Sequence, residues 1–208
     1  MGLRERQRQH TIKVILDAAA QVFGQHGYHG TSMEEVARAT GCATATLYGY
    51  FSSKEELFSR VLMDLIEEYL AGVHEAIADT DSFEAGVIAY YDHFLDFAER
   101  REGFLRVMLA VMRSAQPGTQ PGAEQADALR LAYWEALQPL FDRGAAEGLY
   151  PADLDTQPLF SLLSGALHTS SYTWLIGLTP SPRPSVLAAR ALFLTGFPAA
   201  VAALSENS

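Results

Sequence analysis

Apolar side chains recur along most of this chain at the spacing of one face of an α-helix. Ile12, Ile15, Leu16, Ala19, Val22 and Phe23 predict a helix over about 11–26, with Gly27 as its left-handed C-terminal residue. Met33, Val36 and Ala37 predict a short second helix, which Thr31 or Ser32 can cap with Glu34 or Glu35 three positions on. Gly41 stands where the chain must turn, because glycine takes positive φ without steric cost. A third short helix over about 43–50 turns Leu47 inward, followed by Phe51. Ser53, with Glu56 at the third helical position, then caps a long helix to about residue 78, carrying Leu57, Val61, Leu65, Tyr69, Val73 and Ile77.

The same period continues to the end. Asp81 with Glu84 is expected to cap a helix to about residue 101, with Phe83, Val87, Tyr90, Tyr91, Phe94 and Phe97 inward. Phe104, Val107, Met108, Val111 and Met112 predict another near 103–114, and the prolines and glycines of 116–122 predict a loop. A helix over about 123–147 contains Pro139, which is expected to kink or interrupt it. Two more are predicted, from a Thr156 cap to about 176 and from about 184 to 204 after a Pro-Ser-Pro-Arg-Pro turn. The fold class is therefore all-α.

Composition fits a soluble globular chain: 208 residues, 49% hydrophobic and 19% charged. A single cysteine, Cys42, excludes an intrachain disulfide and suits a reducing cytoplasm, and no signal peptide precedes the first helix. The net charge of −10 is unevenly divided along the chain. Residues 1–60 carry seven basic and six acidic side chains, and residues 61–208 carry eight and nineteen. Arg4, Arg6 and Arg8 make residues 1–10 a basic segment, read as a mobile arm able to follow phosphates or the minor groove, or as a plain solvated terminus.

Two short helices around a glycine turn are the helix-turn-helix arrangement, whose second helix enters the DNA major groove. Here the sequence resembles the tetracycline-repressor (TetR) family of transcriptional regulators. The matching positions are Ile15, Ala18, Ala19, Phe23, Gly27, Thr31, Ala37, Gly41, Thr46, Leu47, Tyr48, Phe51, Lys54, Glu55 and Leu57. The resemblance is confined to roughly the first quarter of the chain. It implies a DNA-binding helix-turn-helix domain over 1–53 joined to a helical-bundle domain for ligand binding and dimerisation over 54–208.

In such a domain the positions matching Thr46, Tyr48 and Lys54 contact phosphates and those matching Thr44, Ala45 and Tyr50 lie near bases, and Thr31 and Ser32, at the start of the preceding helix, complete the expected DNA-binding set. Hydroxyls and the Lys54 charge suit phosphates, and threonine methyls with Ala45 suit thymine methyl groups. No Arg, Asn or Gln in this helix offers a bidentate base contact, so apolar and water-mediated readout is expected. The bland reading of Tyr48 and Tyr50 is packing against the first helix.

Bundle cores are common ligand sites. Tyr69, Tyr91, Phe94, Met108, Met112, Trp134, His168 and Tyr172 are the candidate lining of a pocket for a small apolar or aromatic ligand, each of them also readable as plain core. The resemblance implies a homodimer through the last two helices. The apolar run 186–204 is nearly long enough for a membrane span, but Arg190 and Pro198 argue against one. The six histidines show no metal spacing, no nucleophile or phosphate-loop pattern occurs, and no cofactor or enzymatic activity is expected. The expected function is a double-stranded-DNA-binding repressor, cytoplasmic, released from its operator by a ligand. The alternatives are a ligand-dependent activator and a small-molecule-binding bundle with weak or lost DNA binding.

Overall fold

A computed structural model gives the fold. The structure describes residues 2–101, 105 and 123–205, the segment 123–130 by its backbone alone. The described residues form helices α1 (Leu3–Gly30), α2 (Met33–Thr40), α3 (Thr44–Tyr48), α4 (Lys54–Ala78), α5 (Phe83–Arg100), α6 (Ala123–Ala146), α7 (Gln157–Leu175) and α8 (Arg183–Ser205). They pack as two compact units, residues 1–68 with 101–126, and residues 69–100 with 127–208, so α4 contributes to both.

In the first unit the expected arm is instead helix. α1 starts at Leu3, because nothing between Leu3 and Thr11 breaks a helix and the Gln9 amide donates to Glu5 one turn back at 2.9 Å. Its regular course ends at Gly27, where φ is +70° and ψ is 172°, a conformation that side chains reject. α2 carries the expected capping box: the Glu35 N–H donates to Ser32 Oγ at 3.2 Å and the Ser32 N–H to Glu35 Oε2 at 2.8 Å. Gly41 closes it in the left-handed region (φ 69°, ψ 16°), and the Cys42 N–H returns to the Ala37 carbonyl at 3.0 Å. α3 is shorter than its sequence period suggests, ending at Tyr48, with Gly49 and Tyr50 in a turn. Leu47, Phe51, Val36, Ala37, Ile15, Leu16, Ala19, Phe23, Leu57 and Val61 are buried together as this unit's core. Ser53 Oγ accepts from the Glu56 N–H at 3.2 Å, as its position predicts.

The periphery of that unit is charged. Arg101 grips Glu68 with two nitrogens at 2.9 and 3.1 Å and reaches Asp17 at 3.4 Å, while Lys13 meets Asp64 at 2.8 Å.

In the second unit α8 packs on α5 and α7. The cap of α5 differs from the sequence expectation. Ser82, not Asp81, accepts the Ala85 N–H at 3.2 Å, and the Phe83 N–H donates to Glu147 beyond α6 at 2.6 Å, a partner that only folding supplies. Pro139 does not interrupt α6; it and Glu135, whose carbonyl loses its helical partner, are both exposed, so water can satisfy that oxygen. Thr156 occupies the N-cap of α7 without a side-chain bond, and Asp155 Oδ1 accepts the Gln157 N–H at 3.0 Å instead. α8 is long and apolar enough to cross a membrane, with mean hydropathy 1.7, yet its Arg190 pairs with Asp92 of α5 at 2.7 Å. The expected helix near 103–114 and loop 116–122 lie outside the described residues, apart from buried, helical Leu105.

Candidate nucleic-acid interface and ligand-binding bundle

The turn at Gly41 swings α3 out so that one side is core and the other is surface. Leu47 is buried, while Ala45, Thr46, Tyr48 and Gly49 are exposed and Thr44 and Tyr50 half-buried. Tyr48 is 50% exposed, which places it on the surface and not against α1. Tyr50 lies under a guanidinium, the Arg8 Cζ standing 5.9 Å from its ring centroid.

Three residues of the expected DNA-contact set have prior engagements. Thr31 is buried at 3% exposure and its hydroxyl donates to the Gly27 carbonyl at 2.8 Å, so its side chain holds the chain break and faces no groove. Ser32 is half-buried in its capping box. Lys54 donates to the carbonyls of Tyr28 and Thr31 at 2.9 and 3.0 Å and stacks over the Tyr28 ring at 4.5 Å. The Tyr28 hydroxyl in turn donates to Glu55 at 2.5 Å; burial, then this carboxylate, pushes the phenol up to about 12.

Charge separates the surface further. Among the residues whose side chains are described, Arg4, Arg6, Arg8, Arg38 and Arg60 are the lysines and arginines that donate to no carboxylate or carbonyl, though the Arg38 charge acts on Glu35, and all lie in the first unit. Nothing in the sequence marks Arg38 and Arg60, because pairing is invisible without coordinates. An exposed hydroxyl-bearing helix flanked by unpaired guanidiniums can donate to phosphates and touch base edges.

The sequence profile described as "Bacterial regulatory proteins, tetR family" matches residues 15–61, the span from α1 through the start of α4. Over that span the chain is similar to the TetR family. Curated relatives that the chain matches include the transcriptional activator FasR of Mycolicibacterium smegmatis, 36% identical over 85 residues, and the transcriptional repressor ComR of Escherichia coli, 40% identical over 78. Those alignments cover 41% and 36% of this chain and 39% and 37% of the relatives, so the chain matches less than half the length of each. The fold likeness extends further. FadR from Bacillus subtilis in complex with stearoyl-CoA superposes with a TM-score of 0.77 at 18% identity, over 88% of this chain and 98% of that one.

In the second unit the expected pocket residues fall into separate groups. Tyr69 is fully buried, stacked on Tyr133 at 5.4 Å and edge-on to Phe97 at 5.2 Å. Tyr90 and His93 complete this cluster, and burial drives the Tyr69 and Tyr90 phenols well above the ordinary tyrosine value. The His93 ring contacts the Tyr69 carbonyl at 3.2 Å and fills the space a Cβ on Gly72 would need; burial holds its pKa down. Tyr90, His93 and Tyr133 were absent from the expected lining. The bare position at Gly72 is the sequence sign that something large packs there.

Tyr91 is a staple, its hydroxyl donating to the Leu163 carbonyl of α7 at 3.0 Å. Phe94 is buried core. Trp134 stands apart, stacked on Phe141 at 5.7 Å and edge-on to Phe160 at 5.4 Å. Tyr172 is exposed and belongs to no inner wall. His168 is exposed on α7, and the protein around it lowers its pKa. Met108 and Met112 lie outside the described residues.

Proposed function

We propose that this chain is a homodimeric, DNA-binding repressor whose hold on its operator is released by a small apolar or aromatic ligand. The observation that carries the reading is the exposed Ala45–Thr46–Tyr48 strip of α3, set among unpaired arginines in a segment that matches the TetR family. The exposed apolar surface of α7 and α8, with Leu192 at 72% and Leu162 at 58%, supports pairing with a second copy. In a symmetric pair the two α3 helices reach successive major grooves when they stand about 34–36 Å apart. A ligand that favours a different tilt of α4 would change that separation.

The ligand class follows from the second unit's chemistry. Its interior is aromatic, and its described arginines, Arg100, Arg143, Arg183 and Arg190, are all engaged by carboxylates or by hydroxyl and carbonyl oxygens. The similar FadR structure holds stearoyl-CoA. An acyl chain or a flat aromatic would suit the interior here, whereas a polyphosphate head finds no spare described cation in this unit.

The test is fluorescence anisotropy against the DNA upstream of the protein's own gene and against an unrelated duplex, at two salt concentrations. Tighter binding to the upstream DNA that weakens steeply with salt supports the regulator. Equal, feeble binding to both would favour a ligand-binding bundle that does not act on DNA there.

A further inference from the structure

Arg8 occupies an unusual place for a residue of an N-terminal segment. Because α1 is helical from Leu3, Arg4 and Arg8 lie one turn apart on the same face. That face meets the turn after α3: one groove is bordered by Arg4, Arg8, Gly49 and Tyr50, and a second, beyond the Arg8–Tyr50 pair, by Arg8, Tyr50 and Arg60. The stacked pair is thus a ridge between two grooves, each holding a further guanidinium. Glu56 also borders the second groove, but its carboxylate is taken up by the backbone N–H of Ser52 at 2.7 Å and by the Ser52 hydroxyl.

Three guanidiniums border these grooves against a single carboxylate, so like charge predominates there and repels itself. A purely structural arginine would be paired, as Arg101, Arg183 and Arg190 are. A planar guanidinium can stack on an aromatic face and still offer N–H groups at its edge to a phosphate, which an ammonium cannot do. Tyr50 is half-buried beneath it and lies two positions beyond the end of α3.

We propose that Arg8 is a positioning residue for DNA reading: it fixes the Tyr50 ring at the end of α3 and, with Arg4 and Arg60, forms a guanidinium track for the phosphate strand flanking the groove. The inference rests on the DNA-binding reading above and assigns to the first turns of α1 a share of both affinity and discrimination.

The experiment compares the full-length wild type with R8A, R8K, Y50A and R8A/Y50A by anisotropy on the upstream duplex and an unrelated duplex across a salt series. R8A is expected to lose about tenfold on the upstream duplex and to lower the salt slope by about one. R8K is expected to restore the slope without restoring the preference between duplexes. The R8A/Y50A double variant is expected to be little weaker than Y50A, because the two residues act as one unit. The R8A and R8K melts should coincide with that of the wild type, since Arg8 is exposed. Wild-type affinity and slope in R8A would overturn the proposal, as would fully additive losses in the double variant, or a lowered melt in R8A with affinity intact. A wild type that prefers no duplex would overturn the DNA-binding reading itself, and that failure appears before any variant is compared.

Discussion

The Lys54 ammonium sits 4.5 Å above the Tyr28 ring and donates to the Tyr28 backbone carbonyl at 2.9 Å. A third contact, to the Thr31 carbonyl, ties the first residue of α4 to the segment between α1 and α2. Gly27 breaks the α1 ladder just before these residues, so carbonyls are left there without helical donors. Lys54 supplies them. It is therefore part of the frame that presents α3, whatever charge it also lends to the surface.

Replacing Lys54 by Met should leave those carbonyls unmet and cost about 1–3 kcal/mol of stability. Urea unfolding reads this directly, and operator affinity should fall with it. An unchanged unfolding midpoint with lost affinity would instead assign Lys54 to phosphate contact alone.

Tyr48→Ala should behave in the opposite way. The ring is half exposed and surface substitutions alter stability by no more than about 0.5 kcal/mol, so the melt should not move. Operator affinity, measured by anisotropy, should drop at least roughly tenfold, as expected for removal of an exposed groove-facing contact.

Acid should loosen the DNA-binding unit through three glutamates. Hydrogen bonds from the Ser32 backbone hold Glu35 below its ordinary value of 4.5, and those from Tyr28 and Ser52 do the same for Glu55 and Glu56. Depressed carboxyls bind fewer protons folded than unfolded. Their contribution is therefore complete above the ordinary value and is lost as pH falls through the lower folded values. A urea midpoint recorded against pH should decline in that acidic window, and less steeply in Glu35→Gln, which keeps the capping geometry without the titration.

Gly72→Ala should destabilise the second unit by about 1–3 kcal/mol, because the new Cβ collides with the His93 ring in a packed interior. Calorimetry would read the loss, and His93→Ala in the same background should recover part of it by opening room.

Leu192→Glu should convert a dimer to a monomer in light scattering while leaving each chain folded. The side chain is 72% exposed in the single chain, so a charge there costs little until a second copy tries to cover it. A variant that remains dimeric would move the interface elsewhere.

The sequence by itself determined what depends on neighbours in the chain. The capping box of Ser32 and Glu35, the left-handed Gly41, the Ser53 cap and the apolar faces of α1, α2 and α4 all arise within a few residues, where helical spacing and glycine chemistry act. Tertiary structure decided what depends on distant partners. Lys54 reads as a free cation until the Tyr28 and Thr31 carbonyls appear beneath it. The start of α5 reads as capped by its own neighbours until Glu147, from beyond α6, takes the Phe83 N–H. Tyr91, expected in a pocket, spends its hydroxyl on Leu163, while Tyr133 and His93 gather around Tyr69 from other helices. A hydrogen bond or ring contact across tens of residues leaves no periodic trace, because its geometry is fixed only when the helices have packed.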